Sequence, residues 1–413
     1  MKDVAIIGAG IGGLTLALEL HRVGKTCKVY EAVPSLAPLG VGVNLLPHAS
    51  KVLANLGLED ALTATSVLTE ESAFFNRFGQ LIYSEPAGRH AGYAFPQYSV
   101  HRGDLQLMLL EAVRERLGPH SVVTDHRATG VRSLSDRILV QMEDFAGTEK
   151  YPEIEARVAI GCDGIHSALR RQFYPDEAEA RYSGIMMWRG VTVHDRFLTG
   201  ASMVRIGSLA TGKVVAYPLK PRLEDAPDKQ LINWVAEIEV PEADQSTGED
   251  SRSYLAEVFK DWTFDWLDVP GLIRGADTIL RYPMIDRDPV DRWTFDRATL
   301  LGDAAHPMVP RGSNGAGQAI IDAHVLAEKL VSEEDPSRAL AEYERERLPA
   351  TNQIVHANRT FPPDLILQET LERTNDQPFN DVTDIFTEEE LRSITRRYQD
   401  VAGFSLTALE GEE

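Results

Sequence analysis

Val4–Gly13 reads VAIIGAGIGG, and this stretch decides the architecture of the chain. Val4–Ile7 is a continuous apolar run, the pattern of a strand buried on both faces in a parallel sheet. Gly8, Gly10 and Gly13 follow with the spacing G-x-G-x-x-G, and Leu14–Gly24 continues as an apolar-rich helix. Each glycine has its own physical task. The first permits a sharp turn, the second a close approach of backbone to a pyrophosphate, and the third close packing of helix on strand. The amides of Ile11 and Gly12 then lie at the positive end of the helix dipole, where phosphates bind. Val29–Tyr30–Glu31 reads as the end of a second strand, which places the Glu31 carboxylate, with Ala32 after it, to receive the ribose hydroxyls of an adenosine. Strand, glycines, helix and acid in this order predict a dinucleotide site. The alternative is a glycine-rich turn in an unliganded α/β domain, and the motif alone does not separate NAD from FAD.

The surrounding composition narrows the class. The chain has 413 residues, enough for two domains or one elaborated domain, and 43% hydrophobic with 25% charged residues is ordinary for a globular protein. A net charge of −21 argues against nucleic acid or an anionic membrane as partner, although a local basic pocket for an anionic substrate remains compatible. The two cysteines, Cys27 and Cys162, fall in strand-like segments and read as small buried hydrophobes, without a disulfide framework. The chain opens directly on a strand and has no apolar run long enough to span a bilayer, so a cytoplasmic, soluble enzyme is expected.

Further along, Pro and Gly density through Gly42 predicts a loop bringing backbone against a flat ligand, and His48–Leu56 has helical spacing. Strands are expected around Ser72–Ser84, with a turn at Gly79. Leu105, Met108, Leu109, Ala112 and Val113 share one face of a helix that Gly118 can end. Arg102 precedes that apolar face, as a surface arginine or a cofactor contact. Two alternating stretches follow, and ARVAIGCDGIHSALRRQF then repeats the strand–turn–helix pattern with Asp163–Gly164 at the turn. Between Tyr182 and Arg281 the segments GIMMWRGVTV, KVVAYPLK and QLINWVAEIEV are strand-like, an inserted antiparallel sheet. SYLAEVFKDW closes it as a helix. The expected division is an α/β Rossmann-type body of residues 1–181 and 282–361, a sheet domain of residues 182–281, and a helical tail of residues 362–413. In the tail, Thr387 and Glu390 have capping-box spacing ahead of a short helix, and disorder is expected from Glu410.

Arg297–Ala323 reads RATLLGDAAHPMVPRGSNGAGQAIIDA. A buried strand ending at Gly302–Asp303 puts a carboxylate at the C-terminal edge of the sheet, where ligands bind in open α/β folds. Asp303 there accepts from polyol hydroxyls or, alternatively, caps the next turn. A helix beginning near Gly315–Ala316–Gly317 offers free amides to an electron-rich ligand.

Gly8, Gly10, Gly13 and Glu31, then Gly161–Cys162–Asp163–Gly164 with Ser167 and Arg170, then Gly302–Asp303 with Pro310, resemble the three fingerprints of the FAD-dependent aromatic hydroxylases of the para-hydroxybenzoate hydroxylase type. The motifs keep the family's order and span residues 1–350. PLGVGVNLLP, PQYSVHRGDLQ, MWRGVT and YPMIDRDP look closest to the phenazine-modifying, methylphenazine-carboxylate hydroxylase branch. The resemblance implies FAD as cofactor, with the glycines on its pyrophosphate and Glu31 on its ribose. It places Leu39, Gly40, Val41 and Gly42 along the flavin, and Arg102 and Gln106 on the FAD chain. Asp303 meets the ribityl hydroxyls, and Asp163 belongs to a motif assigned to both FAD and pyridine nucleotide; the alternatives are that Asp163 only orders its turn and that Arg170 only pairs with an acid. Pro310 and the amides of Gly315 and Ala316 lie beside the isoalloxazine. It also implies reduction by transiently bound NADH or NADPH, O2 as co-substrate, and hydroxylation of an aromatic ring through a flavin C4a-hydroperoxide, with or without decarboxylation.

Candidates for the small aromatic substrate are Trp188, Tyr217 and Trp234 as stacking walls, or equally as sheet core. His306 and Arg311 are candidates for a substrate carboxylate, with His306 equally readable as a satisfied loop residue. No Ser–His–Asp arrangement or metal-ligand spacing stands out, and no catalytic base is assigned. A monomer or homodimer is expected. The competing readings are a flavin reductase or oxidase without oxygenation, and a non-catalytic nucleotide-binding module.

Overall fold

The computed structural model describes residues 2–37, 40–240 and 251–410. Leu39 and the chain end beyond Glu410 lie outside them.

The opening stretch forms the strand Lys2–Ile7 and the helix Ile11–Arg22, joined by the glycine turn. The strand pairs in parallel with Cys27–Tyr30 on one side and Lys150–Gly161 on the other. Ala298–Leu300 pairs in parallel with the far side of Lys150–Gly161, and Val122–Val123 with Cys27–Tyr30. Two antiparallel strands, Arg127–Ser133 and Ile138–Glu143, complete this seven-stranded sheet. Its parallel members all end at one edge. Gly8 N–H bonds Tyr30 O, Cys162 N–H bonds Ile7 O and Leu301 N–H bonds Gly161 O, so the glycine turn, Glu31, the Cys162–Gly164 turn and Gly302–Asp303 share that edge. The helices Ile11–Arg22 and Gly315–Ser332 pack on each other, and Gly12 marks the approach: an added Cβ would lie 3.2 Å from Ala319 Cβ on the second helix.

The second sheet also has seven strands, in the order Ile279–Asp286, Arg181–Asp195, Lys229–Glu239, Gly212–Lys220, Ser202–Ser208, Glu71–Phe75 and Leu81–Pro86. It is not confined to residues 182–281. Glu71–Phe75 joins Ser202–Ser208 in parallel, so the hairpin turning at Gly79 belongs to this sheet although it lies far upstream. The other side of the sheet is covered by the helices Ser251–Val258 and Val269–Arg274.

The tail docks back on the body. Thr387 and Glu390 form the expected capping box at the start of Glu388–Val401, with both reciprocal bonds present. Leu365–Thr374 is another tail helix, and these two helices pack on Phe74 and Ile82 of the second sheet. Helix Pro336–Thr360 keeps Pro349 in its interior. Cys162 sits just past the end of its strand, half-buried, and both cysteines are free thiols. Among the described residues no helix is long and apolar enough to cross a membrane, and no group of acids, histidines and cysteines is arranged to hold a metal.

Candidate active site

A cavity of about 310 Å³ lies between the C-terminal edge of the first sheet and one face of the second. Gly10, Ile11 and Gly12 border it at one end, and Gly302, Asp303, Gly315 and Ala316 border it nearer the second sheet. Strand alternation decides which side chains of the second sheet reach it. On Gly212–Lys220 these are Lys213, Val215 and Tyr217, on Lys229–Glu239 Val235 and Glu237, on Arg181–Asp195 Met187 and Arg189, and on Ser202–Ser208 Met203 and Arg205.

The opposite parity corrects two expectations. Trp188 and Trp234 point to the far face, into a core with Phe259 and Trp262 beneath the helices. Trp234 Nε1 bonds Thr192 Oγ1 at 3.1 Å and Trp188 Nε1 bonds Ser251 Oγ at 3.2 Å. Neither is a substrate wall. Tyr217, an odd step along its own strand, does border the cavity. Burial raises its phenol pKa even though Arg189 beside it pulls the other way, so Tyr217 is a neutral donor near pH 7.

His306 also departs from expectation. Its side chain is fully buried behind the cavity, with Nε2 2.6 Å from Asp322 Oδ2. Arg347 Nε approaches Asp322 Oδ1 at 2.8 Å, and Gly302 N–H donates to Asp322 Oδ2 at 3.2 Å. Burial pushes the Asp322 carboxyl upward, but His306 and Arg347 together hold it below its ordinary value. His306 thus anchors the Gly302–Asp303 turn to the helix Gly315–Ser332 instead of meeting a substrate.

At the glycine end, Gly8 has φ +105°, and a Cβ there would fall 2.4 Å from Cys162 O. Gly13 is closer still, its added Cβ lying 2.1 Å from Gly8 O, while at Gly10 nothing stands within 4 Å. The first and third glycines are required by the protein's own packing; the second faces open space. Glu31 and Gln106 hold this loop from two sides. Ala9 N–H donates to Glu31 Oε2 at 2.7 Å, and Gln106 Nε2 donates to Ala9 O at 2.8 Å. Ala32 is half-buried just after Glu31.

Gly40 and Val41 precede the part of the loop that borders the cavity, Gly42–Asn44. Gly42 is clamped from the second sheet: its N–H donates to Asn233 Oδ1 at 2.7 Å and its carbonyl accepts from Arg189 Nη2 at 2.9 Å. A Cβ on Gly42 would lie 2.6 Å from the Tyr217 ring. Arg102 starts the helix Arg102–Leu117 and faces the cavity with exposed side chain. Asp163 is turned aside, its Oδ2 accepting from Ala168 N–H at 2.7 Å at the start of a short helix, while the cavity is bordered there by Cys162 and Gly164. Arg170, in the same motif, is buried and reaches the carbonyls of Ala304 at 3.1 Å and Ala305 at 2.7 Å. It therefore fixes the turn carrying Asp303, which is exposed to the cavity.

The third motif completes the wall. Pro310, Arg311 and Gly312 border the cavity, and Asn314 precedes the helix without a side-chain cap, leaving the first amides of Gly315–Ser332 without a side-chain acceptor. Gly312 has φ +86° and lies under the Tyr398 ring, where a Cβ would meet Oη at 2.0 Å. Tyr398 Oη donates to Asn358 Oδ1 at 2.6 Å and lies 3.2 Å from Arg311 O. The tail thus shapes the active-site loop, a role that sequence reading assigned to none of its residues.

These features fit FAD. The open space at Gly10, the uncapped helix ends at Ile11 and Gly315, and the cavity-facing carboxylate of Asp303 supply donors for phosphate and flavin and an acceptor for hydroxyls.

Comparison with known proteins agrees with this geometry. Residues 1–358 match the family described as FAD binding domain. A phenazine 1,6-dicarboxylic acid hydroxylase, PhzS, of Lysobacter antibioticus is 43% identical over 86% of this chain and 89% of its own length. A 3-amino-4-hydroxybenzoate 2-monooxygenase, PtnB3, of Streptomyces platensis is 35% identical over 86% of each chain. In fold, Klebsiella pneumoniae HpxO complexed with FAD and uric acid superposes with a TM-score of 0.77 at 24% identity, covering 98% of this chain and 97% of that one. The chain belongs to the FAD-binding family of flavoprotein aromatic hydroxylases.

Proposed function

We propose that the protein is an NAD(P)H- and O2-dependent FAD monooxygenase that hydroxylates an aromatic carboxylate of phenazine-like size. The observation that carries this reading is the cavity that joins Asp303 and the Gly315 amides to a sheet face presenting Met187, Val215, Val235 and Arg189, with Arg311 on the loop opposite. The 43% identity to a phenazine 1,6-dicarboxylic acid hydroxylase supports the ring class.

Gly8, Gly10–Gly13, Glu31, Ala32, Arg102 and Gln106 hold the adenosine and diphosphate end. Gly40–Gly42, Asp303, Pro310, Gly315 and Ala316 hold the ribityl chain and ring, and Leu39 and Asp163 belong to the same cofactor-binding segments. Bound FAD supplies electrons taken from NAD(P)H and the activation of dioxygen. Helix amides at Gly315 and Ala316 stabilise negative charge on the ring beside them. Met187, Val215 and Val235 exclude water and present a flat apolar wall to the substrate. Tyr217 donates its proton in a hydrogen bond to a ring oxygen or nitrogen, and Arg311 and Arg189 receive the carboxylate. We further infer two bodies, residues 1–181 with 282–361 and residues 182–281, the second also taking in the hairpin strands Glu71–Phe75 and Leu81–Pro86, and a tail of residues 362–413, in a cytoplasmic monomer or homodimer.

Screening aromatic acids and phenazine carboxylates for stimulated NAD(P)H oxidation, with mass analysis of products, tests the reading. An oxygenated product is expected; stoichiometric hydrogen peroxide without one, for every aromatic supplied, overturns it.

A further inference from the structure

Six ionisable side chains from the second sheet and the adjoining segments border the substrate half of the cavity: Arg189, Arg205, Lys213, Arg311, Glu237 and Asp364. Four of them form an alternating chain. Lys213 Nζ is 2.8 Å from Glu237 Oε2 and 2.5 Å from Asp364 Oδ2, and Arg205 Nε is 3.2 Å from Asp364 Oδ1. Arg205 also donates to Ser72 Oγ at 2.7 Å and lies over the Phe74 ring. Lys213 is only 2% exposed, so these charges interact with little solvent screening. Within this alternation the charges cancel. Arg189 and Arg311 stand outside it: each has a buried Nε without a hydrogen-bond partner, and neither has a carboxylate at ion-pair distance among the described residues. In a chain of net charge −21, this half of the cavity therefore carries two uncompensated cations.

Asp364 is the centre of the alternation and comes from the tail, directly after Pro362–Pro363. Its carboxyl is held below the ordinary range: burial pushes it up, but Lys213, Arg205 and, from further away, Arg311 outweigh that. The groups facing it are those three cations, with Glu237 beyond Lys213.

We propose that Asp364 determines substrate charge: together with Glu237 it neutralises Lys213 and Arg205, which leaves Arg189 and Arg311 as the two uncompensated cations and matches the site to an aromatic dianion. The proposal rests on the hydroxylase reading and specifies its substrate class. A monocarboxylate leaves one half-buried arginine without a counter-charge, which is unfavourable, and a substrate with two anionic groups satisfies both.

The test measures the Kd of two ligands, phenazine-1,6-dicarboxylate and phenazine-1-carboxylate, by perturbation of the flavin absorbance of the holoenzyme. In the wild type the dicarboxylate binds more tightly. Asp364→Asn keeps the side-chain shape but removes one negative charge, and it is expected to increase the preference for the dicarboxylate on the order of tenfold. Glu237→Gln removes the other carboxylate of the alternation and shifts the preference in the same direction, so a folding failure of the first variant does not leave the question open. In the double variant Lys213→Met/Asp364→Asn the charge is balanced again and the preference returns to that of the wild type. A preference unchanged within about twofold in folded, FAD-loaded Asp364→Asn or Glu237→Gln overturns the assignment while leaving the hydroxylase reading intact. If neither phenazine perturbs the wild-type flavin and no aromatic stimulates NAD(P)H oxidation, both fall.

Discussion

Two neighbouring glycines separate folding from cofactor binding, and substituting each with alanine tests the site from its foundation. Gly10 has φ −73° and ψ −179°, an extended conformation open to any residue, and a Cβ added there meets no protein atom within 4 Å. Gly13 has no such freedom, since its Cβ would fall 2.1 Å from Gly8 O and 3.3 Å from Cys162 Cβ. Gly10→Ala should therefore change apoprotein stability by less than about 0.5 kcal/mol, the range of a substitution without new contacts. Gly13→Ala forces a backbone shift between helix and strand and should destabilise by roughly 1–3 kcal/mol. FAD affinity behaves differently. A methyl at Gly10 occupies the space through which backbone amides reach the diphosphate, and losing one charge-assisted hydrogen bond costs about 1.5–3 kcal/mol, roughly 10- to 100-fold in Kd. Denaturant melts of FAD-stripped protein give the first quantity, and titration of flavin fluorescence quenching gives the second. Wild-type FAD affinity in Gly10→Ala refutes the passage of the diphosphate over this residue. Equal destabilisation of the two apoproteins refutes the steric argument.

Other consequences are as direct. Asp303→Ala should lower FAD retention, and Arg170→Lys should do so more weakly, because lysine cannot reach both carbonyls of Ala304 and Ala305; unchanged flavin occupancy after gel filtration would contradict either role. Tyr217→Phe should raise the KM of an aromatic substrate, whereas Trp234→Phe should lower thermal stability with KM unchanged, because Trp234 faces away from the cavity. His48 is fully buried, stacked on Phe404, and burial, aided by Arg347, lowers its pKa from 6.5 to about 3. Between those values the unfolded chain binds a proton that the folded chain refuses. Stability therefore falls on acidification below about pH 6.5, by up to about 1.4 kcal/mol per pH unit from this group. His48→Phe keeps the stack and should flatten that dependence in denaturant melts from neutral pH to about 5; an unaltered slope would show that another group carries it.

The parts of the protein that sequence alone determined are those whose physics is local. The turn at Gly8 has a positive φ that side chains rarely adopt, so glycine spacing reported it directly. The capping box at Thr387 and Glu390 spans three residues and was legible for the same reason. Glu31 and Asp303 were legible because an acid shortly after the end of a buried strand lies at the sheet edge whatever surrounds it, although Asp303 sits in a turn three residues past its strand and not at the strand's end. Tertiary structure decided what depends on partners far away in sequence. Trp188, Tyr217 and Trp234 look alike along their strands, and only the helices covering one face of the sheet separate core from cavity wall. His306 became an anchor because Asp322 and Arg347 meet it in the interior. Asp364 has meaning only beside Lys213 and Arg205, distant strands that the tail reaches by folding back. Burial strengthens a charge pair by removing the water that would screen it, and which charges share a dry space is a property of the whole fold.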